Sequence, residues 1–177
     1  MSNLTAVIVG ATGGIGKAIV ENLCKNNINV VLVARNAEAL QSMQVELKTQ
    51  FPQLQLQSLC CDLSDAESRE QFIQALSQQN LRINYYINNA GVNDFSLFSH
   101  QASEAIEQMM LINVVYPLQL IQQIIPLMSK TAPSQIINMG STFGSMVTLV
   151  MSVTAPVSLP YAVQLKLWHV NIPIHRF

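Results

Sequence analysis

The chain has 177 residues, of which 50% are hydrophobic and only 11% charged, and its formal net charge is -1. That length supports one well-buried domain, because a chain near this size hides about two-thirds of its unfolded surface on folding. The near-neutral charge excludes a general electrostatic attraction to nucleic acid or to an anionic membrane, so any polyanion must be held locally.

Short apolar runs alternate with amphipathic ones, the order that builds βαβ units and a parallel sheet. Residues 4–9 are predicted as a strand; no basic residue precedes this run and glycines follow it, which argues against a signal peptide. A helix is predicted over 14–25, with Ile15, Ala18, Ile19 and Leu23 on one face. A second strand, almost pure Val and Leu, covers 29–34, and a helix covers 36–50. Residues 54–60 form the third strand. Ser64, with Glu67 three residues later, reads as a capping box that opens a helix running to 77. The fourth strand is 83–88. A long helix follows over 103–128, with Ile112, Val115, Leu118, Ile121, Ile124 and Ile125 as its apolar face. The fifth strand is 135–139. This β-α-β-α-β-α-β-α-β order predicts an α/β Rossmann-type doubly wound parallel sheet with right-handed crossovers.

Cys24, Cys60 and Cys61 form no C-x-x-C pair and leave an odd count. Reduced thiols in a cytoplasmic compartment are expected, not a disulfide framework. Between Lys130 and Lys166 there is no charge, but Pro133, Gly140, Gly144, Pro156 and Pro160 interrupt the stretch, so no membrane span is expected there.

The first strand runs directly into Gly10-Ala11-Thr12-Gly13-Gly14-Ile15-Gly16, which opens the first helix. Strand, glycine loop and helix in that order make a dinucleotide site: one glycine allows the tight turn, one admits the pyrophosphate, and one permits close packing of helix on strand. The phosphates would rest on the free amides and positive end of the helix. At the end of the second strand stands Ala34-Arg35-Asn36. No carboxylate is there to hold ribose hydroxyls and repel a 2′-phosphate, and Arg35 offers a planar fork of donors that suits one. NADP(H) is therefore expected over NAD(H).

The spacing of Gly10, Gly14 and Gly16, together with Asn88-Asn89-Ala90-Gly91 after the fourth strand, resembles the short-chain dehydrogenase/reductase family. The resemblance extends from Met1 to about Ser145 and implies hydride transfer between NADP(H) and a small carbonyl or alcohol. It also implies that Asn89, Ala90 and Gly91 stabilise the sheet and line the cofactor channel, and that Asp62, with Leu63 beside it, contacts the adenine. Gly10, Thr12, Gly13, Gly14, Ile15, Gly16, Arg35 and Asn36 complete the cofactor set. Ser141 matches the family's serine that polarises the substrate oxygen, and Asn113 the asparagine that anchors a water on the proton path. Read without the family, Ser141 is a strand-end hydroxyl and Asn113 an amide bridging a helix to a strand. The segment from Val92 to Gln101 would shape the substrate pocket, and the long helix is the surface through which such proteins pair, so a homo-oligomer is expected by analogy.

The family's proton donor is a Tyr followed four residues later by a Lys that lowers its pKa. The corresponding positions here are Thr154 and Ser158, which cannot do that work. Tyr161 and Lys166 are spaced one residue too far and follow Pro160. The chain thus divides into a dinucleotide-binding part, 1–145, and a tail, 146–177, that departs from the family, so the fold is expected to be truncated on its C-terminal side with an exposed sheet edge. A one-base frame shift accounts for the tail. The codons permitted by residues 154–163 are compatible, one base out, with Tyr-Cys-Ala-Ser-Lys-Phe-Ala-Leu-Arg-Gly, and those of 147–151 with Gly-Tyr-Pro-Gly-Tyr. A naturally diverged or alternatively spliced tail is the other explanation. The two function classes are accordingly an NADP-dependent oxidoreductase and a non-catalytic dinucleotide-binding or interaction protein, with a methyltransferase a weaker third because its nucleotide has no pyrophosphate for the loop.

Overall fold

The computed structural model describes residues 4–96 and 98–140. Ser141 and the tail positions Thr154, Ser158, Tyr161 and Lys166 lie outside the described residues, as does the division proposed at 145.

Five strands, β1 (Thr5–Val9), β2 (Asn29–Ala34), β3 (Leu56–Cys60), β4 (Tyr85–Asn88) and β5 (Gln135–Asn138), form one sheet in the order β3-β2-β1-β4-β5. Every pairing is parallel. Helices α1 (Gly14–Lys25), α2 (Ala37–Gln50) and α3 (Ala66–Gln78) join the first four strands. The expected Rossmann-type sheet is thus found.

Side chains alternate along each strand between two core layers, as a period of two requires. Val7 and Val9 of β1, Val31 and Val33 of β2 and Tyr86 of β4 pack in one layer with Phe72 and Leu76 of α3 and with Leu120 and Ile124 of the long helix. Ile8, Val30, Leu32 and Ile87 form the opposite layer with Val20 of α1 and Leu40 and Leu47 of α2. Because helices cover both faces, the central strands are buried at nearly every position, which is why β1 and β2 read as unbroken apolar runs. Among the described residues β5 is an edge, and its Ile136 and Ile137 are half-buried.

Several expectations change in detail, and β4 begins at Tyr85, with Ile83 forming only an isolated bridge to Met128. β3 begins at Leu56; Leu54 is buried but sits in a turn, with its amide donating to the Phe51 carbonyl at 3.1 Å. The capping box is displaced by one residue: Asp65, not Ser64, caps α3 by accepting from the Glu67 and Ser68 amides. Ser64 is instead drawn to Asp62, whose carboxylate accepts from both its amide (2.9 Å) and its hydroxyl (2.6 Å).

The long helix is also not uniform. It consists of α4 (Ser103–Met110), a π turn over Leu111–Val115, α5 (Tyr116–Ile124) and a 3-10 turn over Ile125–Leu127. The Tyr116 amide donates to the carbonyl five residues back, at Leu111. Pro117 follows, has no amide to donate, and would crowd the Asn113 carbonyl in a regular α-helix; the wider turn relieves that clash. The extra residue rotates the apolar face. Leu120, Ile121 and Ile124 pack on the sheet, whereas Val115, Leu118 and Ile125 stand exposed. This 25-residue helix, with a mean hydropathy of 1.4 in its most apolar stretch, is long and apolar enough to cross a membrane by composition alone. Of that apolar stretch 22% is buried, and the buried residues pack on the sheet.

Candidate functional site

β1 and β4 are neighbours although the chain visits β2 and β3 between them, so the strand order reverses at this pair. Connections leave in opposite directions there and open a crevice at the carboxyl ends of the strands. A cleft of about 280 Å³ lies at that point, walled by the glycine loop, Ala34, Arg35, the segment from Cys61 to Ser64, the segment from Asn89 to Val92, and Ile112.

The loop is held from three sides. Gly10 has φ +85°, and a Cβ there would sit 2.7 Å from the Ala90 nitrogen, so neither the conformation nor the space admits a side chain. The Gly10 and Ala11 amides both donate to the Val33 carbonyl, at 2.8 and 3.1 Å, which ties the loop to β2. The Gly10 carbonyl accepts from the Asn89 side-chain amide at 3.0 Å, which ties it to the end of β4. A Cβ on Gly16 would fall 2.1 Å from that same carbonyl, so α1 can approach the loop only with glycine there. Gly14 is the opposite case, with nothing within 4 Å of a Cβ. It lies at the open side of the first turn of α1.

The α1 terminus fits a pyrophosphate. α2 and α3 begin with side-chain caps, Asn36 and Asp65, but Gly13 offers α1 none and no acidic residue stands in its first turn. The first amides of α1 therefore keep their hydrogen-bonding capacity and the helix dipole is uncompensated, the electrostatics an anion requires.

Arg35 lies exposed at the rim of the cleft, on the β2 side. Asn36 is not part of the wall; its side-chain oxygen accepts from the Ala39 amide at 2.9 Å as the cap of α2. Asp62 is on the wall, its carboxyl held below the usual range mainly by the Ser64 hydroxyl and amide. Leu63 is buried beside it, and Asn89, Ala90 and Gly91 border the opposite side. Gly10, Thr12 and Gly13 line the cleft, whereas Gly14, Ile15 and Gly16 continue into α1 outside its wall. Ile15 is 63% exposed.

Asn113 projects from the π turn and grips the backbone of Val92: its oxygen accepts from the Val92 amide and its nitrogen donates to the Val92 carbonyl, both at 2.8 Å. Any Cβ on Gly91 would sit 3.3 Å from that oxygen. The arrangement bridges helix to strand end and fixes the segment that enters the expected substrate region. Val92, expected at the start of the segment that shapes the substrate pocket, lines the cleft, whereas Ile112 and Cys61 are cleft residues that sequence reasoning overlooked. For Cys61 a signal existed, since it directly follows a strand whose carboxyl end must face the crevice; its thiol is pushed up to about 11 by burial. The hold of Asn113 on Val92 had no local signal, because the two lie 21 residues apart.

The family model for short chain dehydrogenases matches residues 4–154. A very-long-chain 3-oxoacyl-CoA reductase from Mycosarcoma maydis is 29% identical over 152 residues, covering 85% of this chain and 43% of its own length. A fatty acyl-CoA reductase from Acinetobacter baylyi is 30% identical over 139 residues, covering 77% of this chain and 46% of its own. The chain thus spans less than half the length of these two curated relatives. Among solved structures, an NADPH-bound short chain oxidoreductase from Pseudomonas aeruginosa PAO1 with an atypical catalytic center superposes with a TM-score of 0.82 at 25% identity, covering 91% of this chain and 64% of that one. With a match over most of its length, on a parallel sheet whose crevice carries the glycine loop, the chain belongs to the short-chain dehydrogenase family of oxidoreductases.

Proposed function

We propose that this chain binds NADP(H) and represents the cofactor-binding part of a reductase that moves a hydride between NADP(H) and a carbonyl or alcohol. The observation that carries this reading is the uncapped first turn of α1 facing a cleft whose rim bears Arg35 and no carboxylate at the end of β2. When bound, the dinucleotide supplies the hydride. The α1 amides hold its pyrophosphate, Arg35 pairs with a 2′-phosphate, Asp62 and Leu63 border the adenine, and Asn113 holds Val92 in place beside the nicotinamide end. Ser141 would polarise the substrate oxygen.

The second reading, a dinucleotide-binding protein without turnover, draws on the tail. Thr154 and Ser158 stand where the family's proton donor and its lysine belong, and neither has the acidity or charge for that role. We therefore propose that the 177-residue chain binds but does not turn over, that residues 146–177 are the out-of-frame or diverged part, and that the protein resides in the cytoplasm. Self-association through the long helix is in keeping with exposed Val115, Leu118 and Ile125.

Fluorescence titration with NADPH and NADH tests the cofactor. NADPH is expected to bind more tightly, and Arg35→Asp to lose about 10- to 100-fold for NADPH, the worth of a charge-assisted contact of about 1.5–3 kcal/mol. Tighter NADH binding by the wild type, or an unchanged preference in Arg35→Asp, contradicts the reading. Steady NADPH oxidation with a carbonyl panel contradicts the inactive assignment. Sequencing the coding nucleic acid across Ser145 to Val147, with the intact mass of the product, decides whether an added base restores Tyr-x-x-x-Lys.

A further inference from the structure

Arg69 breaks a local rule. It stands in the first turn of α3, where the positive end of the helix disfavours a cation. The side chain does not run out into solvent to escape that field; it is half-buried. Its guanidinium donates through Nη1 to the Leu63 carbonyl and lies over the ring of Tyr116, 3.8 Å from the centroid.

Both contacts lead to the cleft. Leu63 is part of the wall that follows β3. Tyr116 closes the π turn through its amide, and that turn carries Asn113, whose amide group holds Val92 on the wall that follows β4. A single planar cation thus touches a backbone carbonyl on one wall and, through the aromatic ring, the element that anchors the other. Arginine suits this place: its fork donates in the plane of the group while its flat face stacks on an aromatic ring, and a lysine ammonium has no such face.

We infer that Arg69 is a positioning residue for dinucleotide binding, clamping the Leu63 carbonyl to the Tyr116 ring so that the adenine wall is set relative to the π turn. The inference rests on the dinucleotide reading of the cleft. Arg69 itself touches no cofactor in this account; its effect passes through Leu63.

The test uses the full chain with Arg69→Met, Tyr116→Phe, Tyr116→Leu and the Arg69→Met/Tyr116→Leu double variant, titrated with NADPH and with adenosine 2′,5′-bisphosphate. Arg69→Met should weaken the bisphosphate about tenfold, the loss expected when the released wall holds its binding-competent position in about one molecule in ten. Tyr116→Phe keeps the ring and should bind like the wild type, whereas Tyr116→Leu should be weakened. The double variant should be no weaker than Arg69→Met, because the two residues act as one unit. If Arg69→Met does not fold, the Phe and Leu variants at Tyr116 still give the answer. Wild-type affinity in a folded Arg69→Met, or equal affinity in the two Tyr116 variants, overturns the inference. A wild-type chain that binds neither ligand overturns the dinucleotide reading and the inference with it, and is told apart because the failure precedes any substitution.

Discussion

Gly16 and Gly14 stand two residues apart in one helix, and the structure predicts opposite outcomes for the same substitution. In Gly16→Ala the new methyl would lie 2.1 Å from the Gly10 carbonyl oxygen and 2.9 Å from that of Ala11. Both are backbone atoms and cannot rotate away, so α1 and the loop must separate by about 1 Å to restore ordinary contact. The Gly10 carbonyl also accepts from Asn89, so the displacement propagates to the end of β4. Overpacking of this kind costs about 1–3 kcal/mol, and a backbone obstacle puts it near the upper figure, equivalent to a Tm lowered by about 6–12 °C in a chain of this size. Nucleotide affinity should fall with it, since the loop that faces the phosphates has moved. In Gly14→Ala the methyl meets nothing within 4 Å, and alanine gains up to about 1 kcal/mol over glycine in a helix. Its stability should hold or rise while NADPH affinity drops about tenfold, because on the proposed dinucleotide reading the pyrophosphate comes close to the first turn of α1. Thermal melts and fluorescence titrations on the two variants separate the effects. A Gly16→Ala protein that melts with the wild type would refute the packing argument, and a Gly14→Ala protein that binds NADPH as the wild type does would refute the proposed place of the pyrophosphate.

Asn113→Ala removes both hydrogen bonds to Val92, and at about 1 kcal/mol each the loss should lower the free energy of unfolding by about 2 kcal/mol; urea melts with an unchanged midpoint would show that the clamp carries no stability. Tyr86 is fully buried and its hydroxyl finds no partner among the described residues, so Tyr86→Phe should stabilise by about 1 kcal/mol, and a lowered midpoint would reveal a partner for that hydroxyl. Burial raises the Cys24 and Cys61 thiols from 9.0 to about 11, which means the folded state holds their protons more tightly than the unfolded one. That contribution is complete below about pH 9 and is lost as pH rises towards about 11; melts over this range should show a falling alkaline limb that flattens in the Cys24→Ala/Cys61→Ala variant. At pH 8 a thiol reagent should modify exposed Cys60 quickly and the two buried cysteines only on unfolding, and three fast thiols would contradict the burial.

What could be read without coordinates was what short-range chemistry determines. The alternation of the central strands, the glycine loop between strand and helix, and the missing carboxylate beside Arg35 are all patterns within a few residues, set by backbone sterics and by which groups can face a phosphate. The Asn89-Ala90-Gly91 motif was recognisable in the same way, although its contact with the Gly10 carbonyl spans 79 residues. Helix ends were legible only to within a residue, because Ser64 and Asp65 are both good caps and the choice fell to Asp62, which engaged Ser64 first. The π turn was not read: Pro117 stands inside the stretch taken as one uninterrupted helix, and where the extra residue went depended on how the helix met the sheet, which decided that Leu120 is buried while Leu118 is exposed. The grip of Asn113 on Val92 and the contact of Arg69 with Tyr116 belong to the tertiary structure alone. Each joins elements that strand order and helix register bring together, and no local rule links residues that far apart in the chain.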